Sequence, residues 1–182
     1  MKPIALFIFE ALFLKRVPRS GYQFLGAGKE TVAEHVYAVT MIAYVLSKLT
    51  PGADAERLMA MCLIHDLPEA RLGDLNYVQK QYVSPDEQAA LTDMLDGLPF
   101  ANQVAELLKE FNNGASLEAR LARDADQLAL IVDLKALKDL GYNTPDQWLP
   151  HVRHRLVTKA AVTLADALVE TPSDEWWFRL FY

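Results

Sequence analysis

Four residues of this 182-residue chain have the types and placement needed to hold a metal ion: His35, His65, Asp66 and Asp126. Ionisable side chains set among apolar ones are informative, because burying an unpaired charge is costly and marks a metal or proton-transfer site. His35 shares a helical face with Val32, Ala38, Val39 and Ile42, which turns its ring inward. The helix N-terminus beside it favours neutral imidazole, the form that binds metal. A core histidine bonded to a carbonyl fits the same pattern. His65 and Asp66 follow the apolar run Met59 to Ile64 and stand about 100° apart on a helix, near enough to close on one ion between helices. Glu69 lies four residues after His65 on the same side, where a carboxylate reaches a water held by such an ion and takes its proton. A His–Asp pair in a turn, with a solvated Glu, is the plainer alternative.

The fourth member lies in Arg123-Asp124-Ala125-Asp126-Gln127, inside an apolar helix. Asp124 and Asp126 point to nearly opposite sides, so at most one faces a given site. Asp126 has Ala119, Ala122, Ala129, Leu130 and Leu137 on its face, and small alanines let neighbouring helices and an ion approach. Asp124 sits with Leu117, Leu121, Leu128 and Ile131 and has Arg120 or Lys135 as pairing partners. Periodicity leans to Asp126 without deciding. Two imidazoles and two carboxylates suit one divalent transition metal, Mn, Fe, Co, Ni or Zn, better than Mg. With four His and 24 Asp+Glu in the chain, that order of residues also arises by chance.

The elements that must position these residues are helices. Helical periodicity alternates with turn clusters, and no run of strand alternation appears. Thr31-x-x-Glu34, Ser84-Pro85-x-Glu87 and Thr144-Pro145-x-Gln147 have the form of capping boxes, which open helices. The reading is an all-α single domain over 1–182, with helices near 4–16, 31–49, 54–66, 85–96, 99–111, 116–139, 146–169 and 173–181. The first is read as a buried helix, and 31–49 and 116–139 as central ones. Pro68 is expected to end or kink the third helix at the site. Trp176 to Tyr182 reads as a docked cap or a self-association surface, which fits a homodimer.

Composition narrows the function classes. With 52% hydrophobic residues at this length, the fold should bury roughly 70% of the surface its unfolded chain exposes. The single cysteine, Cys62, excludes an intramolecular disulfide and points to a reducing, cytoplasmic setting. A net charge of −6 argues against coating a nucleic-acid polymer but leaves room for a mononucleotide. The apolar stretch Ile4 to Leu14 carries Glu10 and is too short to span a bilayer, so no membrane partner is expected.

Ala33-Glu34-His35, then His65-Asp66-x-Pro68-Glu69-Ala70 with Gly73-Asp74, then Ala125-Asp126-Gln127, resemble the HD-domain metal-dependent phosphohydrolases. Leu14-Lys15-Arg16-Val17-Pro18-Arg19-Ser20-Gly21-Tyr22 is similar to the N-terminal motif of one branch, the 5′-deoxynucleotidases. The likeness covers roughly residues 10–140, and its combined motifs are far more specific than a lone His–Asp pair. It implies that His35, His65, Asp66 and Asp126 ligate metal, that Glu69 is the acid/base, and that Asp74 contacts substrate. It also implies that Arg16 orients the phosphate, with Arg19 as a second candidate, since a guanidinium binds phosphate in a bidentate fork. Val17 stands where some relatives have an aromatic, and Leu75-Asn76-Tyr77-Val78 replaces a proline-bearing loop, which leaves Tyr22 or Tyr77 to stack on a base.

Four other readings compete with this one. A di-iron oxygenase needs more histidines between Asp66 and Asp126, and there are none; His151 and His154 come later on a basic, solvated helix. A second-messenger hydrolase, a nucleotide sensor without turnover and a purely structural bundle complete the set. The presence of Glu69 speaks against a sensor.

Overall fold

The computed structural model describes residues 1–181, all in helices, turns and loops apart from an isolated antiparallel bridge between Pro18 and Thr31. The order is α1 (Lys2–Ala11), a 3-10 turn (Leu12–Arg16), α2 (Tyr22–Leu25), α3 (Val32–Leu49), α4 (Ala55–Ile64) and α5 (Glu69–Leu72). Then follow α6 (Glu87–Met94), α7 (Ala101–Asn113), α8 (Leu117–Asp139), α9 (Pro145–Arg153), α10 (Lys159–Glu170) and α11 (Glu175–Phe178), with a last 3-10 turn at Arg179–Phe181.

Helix α8 is the axis of the bundle and packs against α3, α4, α7, α9 and α10. Leu121, Leu128, Ile131 and Leu134 are fully buried there against Val39 and Leu46 of α3 and Leu58 and Met61 of α4. A second apolar cluster joins Leu14, Val17 and Val32 to Leu91, Met94 and Leu108, under the N-terminal segment. The line between these clusters is where α3, α4 and α8 converge, and the polar residues sit there. None of the described helices is long and apolar enough to cross a membrane.

Several expected elements differ, each for a local reason. The first helix is not buried: α1 turns only Ile4, Phe7 and Ala11 onto the second cluster, and Phe9 is 75% exposed. Helix α3 is central on one side alone, for Tyr37, Met41 and Tyr44 face outward. Ser84 does not cap the sixth helix; Asp86 does, accepting from Ala89 N at 2.8 Å, so the helix starts two residues later than expected. Thr144 takes helical backbone angles and its hydroxyl caps nothing.

The expected helix 146–169 is two helices. Asp124, 1% exposed, accepts from Val157 N at 3.0 Å and Thr158 N at 2.8 Å and so holds a turn between α9 and α10. It therefore pairs with neither Arg120 nor Lys135, whose ammonium is held by Asp139 instead. Trp176, Leu180 and Phe181 are exposed, and Tyr182 lies outside the described residues.

Candidate functional site

The α3 capping box forms as expected: Thr31 Oγ1 accepts from Glu34 N at 3.3 Å, and Glu34 Oε2 accepts from Thr31 N at 2.7 Å. This fixes the first turn and sets His35, 1% exposed, against α8. The chain ahead of it is laced to the N-terminal segment, since Val32 N donates to Val17 O and Arg19 N to Glu30 O, both at 2.9 Å. Arg19 is thereby carried alongside the His35 turn.

Helix α4 ends at Ile64, one residue before the His65-Asp66 pair, and α5 restarts after Pro68. His65 Nδ1 donates to the Cys62 carbonyl at 2.8 Å, so that the neutral form of the ring has its lone pair on Nε2. Gly73 ends α5 with φ +74, a conformation that strains any residue with a Cβ. That turn sends Asp74 back to Ser20, whose N–H donates to Asp74 Oδ2 at 2.8 Å.

Four polar side chains meet in the recess. His35 Nε2 lies 2.9 Å from Asp126 Oδ1 and 3.8 Å from Asp66 Oδ2, and Asp66 Oδ2 lies 3.1 Å from His65 Nε2. One ligand atom from each of His35, His65 and Asp126 lies within 4.8 Å of the others. Of the two acids on α8, Asp126 is the one that faces this recess, held by Gln127 Nε2 donating to its Oδ2 at 2.8 Å. His65 Nε2, Asp66 Oδ2 and Glu69 Oε2 are buried with no hydrogen-bond partner. Buried polar groups are normally satisfied, and the unpartnered His65 Nε2 and Asp66 Oδ2, 3.1 Å apart, fit a cation that accepts their lone pairs. Two imidazole nitrogens with carboxylate oxygens are a donor set for a divalent transition metal.

The electrostatics follow from crowding of like charge. Burial, with Asp66 and Asp74 nearby, pushes the Glu69 carboxyl up to about 8. Burial works against the His65 imidazolium, yet the Asp66 carboxylate outweighs it and raises the ring to about 9 in the metal-free protein. Burial would raise Asp66 and Asp126, but the two histidines hold both below the ordinary carboxylate range. Arg19 is opposed by burial and raised by Asp74, Asp66, Asp126 and Glu69, so it stays cationic.

The two arginines are placed differently. Arg19 stands 3.8 Å from both Asp74 and Glu30 at the edge of the recess. Arg16 is exposed at the end of its 3-10 turn, with no ion pair among the described residues. Tyr77 is 77% exposed on the loop after Asp74. The Tyr22 hydroxyl bonds Asp133, and its ring lies against Gly28.

Reading the sequence missed three contributors. Glu30, whose carboxyl burial and Asp133 push up to about 7, faces His35. Phe111 packs its ring on His65, with centroids 5.2 Å apart. The Cys62 carbonyl is a backbone atom and leaves no signature in residue types.

Comparison with known proteins agrees with this architecture. A family model described as HD domain matches residues 12–165, and the chain belongs to the HD-domain family. The 5′-deoxynucleotidase HDDC2 of Danio rerio is 30% identical over 70% of this chain and 66% of its own length. The human protein of that name is 27% identical over 71% of this chain and 65% of its own. The chain thus spans just under two thirds of the length of these curated relatives. Among solved structures, the PH0347 protein of Pyrococcus horikoshii superposes with a TM-score of 0.74 at 26% identity, covering 90% of this chain and 96% of that one.

Proposed function

We propose that this chain is a metal-dependent phosphomonoesterase that removes phosphate from nucleoside 5′-monophosphates, the deoxy forms foremost. The observation that carries the reading is the junction of a His/His/Asp/Asp donor set, in which His65 Nε2 and Asp66 Oδ2 are unpartnered, with the buried Glu69 and the cationic Arg19 in one recess. Relatives named 5′-deoxynucleotidase support the substrate class.

His35, His65, Asp66 and Asp126 would hold one divalent ion, Mn, Co, Ni, Fe or Zn. Such an ion supplies Lewis acidity, which makes water more acidic and offsets charge on phosphoryl oxygens. Glu69, buried beside the donor set, would take a proton from the attacking water and return it to the leaving 5′-oxygen. A phosphate dianion is repelled by Asp66, Glu69 and Asp74, so a cation of the chain must face it. Arg19, rather than the exposed Arg16, takes that role, orienting the phosphate through its planar fork. Asp74, already fastened to Ser20, would accept from a sugar hydroxyl. Tyr77, on the exposed loop that follows, is the candidate for stacking on the base.

The test is phosphate release from 5′-deoxyribo- and ribonucleoside monophosphates with Mn, Co, Ni or Zn added, or with EDTA. Metal-dependent release, highest on deoxy substrates and lost in Asp66→Ala and Glu69→Ala, is the expected result. Absence of release with every metal and every monophosphate would overturn the reading.

A further inference from the structure

Glu30 has no part in the helix cap, which Thr31 and Glu34 complete between them. Its side chain is nevertheless only 12% exposed, with Oε2 3.8 Å from His35 Nδ1 and 3.8 Å from Arg19 Nε. Its backbone carbonyl accepts from Arg19 N at 2.9 Å, which fixes where the side chain starts. The opposite ring nitrogen of His35, Nε2, faces Asp126 and Asp66. A carboxylate is therefore kept, against the cost of burial, directly behind an imidazole whose front meets the recess. His65 has its own backing, a hydrogen bond from Nδ1 to the Cys62 carbonyl at 2.8 Å. Behind His35 Nδ1 stands the Glu30 carboxyl, at ion-pair rather than hydrogen-bond distance.

We propose that Glu30 is a positioning residue that holds His35 from behind, with Nε2 aimed at Asp66 and Asp126, and so sets the affinity of the recess for a divalent ion. A carboxylate charge beside Nδ1 favours the proton on that nitrogen and the lone pair on Nε2, and makes Nε2 a stronger donor to a cation. Arg19 holds the same carboxylate from the side, which keeps it from swinging to solvent. The inference rests on the metal-site reading above and not on the identity of the substrate.

The test is titration of the metal-free protein with Co(II) alone, read by calorimetry and by visible absorption of the bound ion. Glu30→Gln keeps the size and removes the charge, and its Co(II) affinity should fall by about 10- to 100-fold with a changed spectrum. Asp74→Asn removes a charge on the other side of Arg19 without touching His35, and should weaken binding by no more than about 3-fold. Glu30→Asp restores the charge one methylene short and should bind between wild type and Glu30→Gln; it carries the test if Glu30→Gln does not fold. Wild-type affinity and spectrum in the Glu30 variants would overturn the proposal, as would an equal loss in Asp74→Asn. Because no substrate is present, a protein that binds Co(II) in this Glu30-dependent way but cleaves no nucleotide would lose only the substrate assignment. Metal-dependent cleavage with Glu30-independent Co(II) affinity would instead overturn the positioning role alone.

Discussion

Glu69 is a carboxyl held where its charge is unwelcome, and that has a measurable consequence in the metal-free protein. Between its ordinary 4.5 and about 8, the folded chain keeps a proton on Glu69 that the unfolded chain has released. Folding stability from this group is therefore greatest below pH 4.5 and declines as pH rises through that window. Glu69→Gln removes the titration, so its stability relative to wild type should grow with pH at a limiting slope of about 1.4 kcal/mol per unit, levelling off above about pH 8. Urea unfolding of both proteins at a series of pH values measures the difference, and parallel curves would refute it. At the same scale, residue types and spacing picked out the four candidate ligands and Glu69. They could not choose between Arg16 and Arg19, because that choice depends on how the chain folds back between Gly21 and Glu30.

At the scale of elements, the site depends on three helices meeting at fixed angles, and α8 is held by more than apolar contact. Asp124 ties α8 to the α9–α10 turn through two backbone amides. Removing a carboxylate that accepts two such bonds leaves both donors without it, and Asp124→Ala should lower unfolding free energy by about 3 kcal/mol. A denaturant midpoint that moves by less than about 1 kcal/mol would show the turn to be held by packing alone. The capping signals read at Thr31 were correct because the box is local, its partners lying three residues apart. The signals at Ser84 and Thr144 failed because a neighbouring cap, Asp86, or a helical backbone at the cap position took precedence. The single expected helix 146–169 failed for a different reason. Its break is held by Asp124, more than thirty residues earlier in the chain.

For the molecule as a whole, binding at the recess is linked to folding. A ligand that binds only the folded state at about 100 times its Kd adds about 2.7 kcal/mol, or roughly 5–10 °C of thermal midpoint for a chain of this size. Mn or Co should raise the midpoint by that order, EDTA should reverse it, and His65→Ala should abolish the rise. The protonated His65 ring, raised to about 9, competes with the ion for the same nitrogen. Metal affinity should therefore strengthen as pH climbs from 6 towards 9, and an affinity that fell over that range in calorimetry would contradict the assignment of His65 Nε2 as a ligand.

The sequence by itself determined the all-helical class, the central place of α8, the α3 cap and the candidacy of His35, His65, Asp66 and Glu69, with Asp124 and Asp126 left as alternatives on α8. Each of these rests on periodicity, local hydrogen bonding or the cost of burying charge, and such effects act over a few residues. The assignment of Asp126 to the recess and Asp124 to a turn was decided only by tertiary structure, since both lie on one helix and differ in which neighbour each side meets. The same holds for Arg19 at the recess, Arg16 in solvent, and Glu30 behind His35. Those placements follow from the bridge between Pro18 and Thr31 and from packing between helices far apart in sequence, which local residue pattern does not encode.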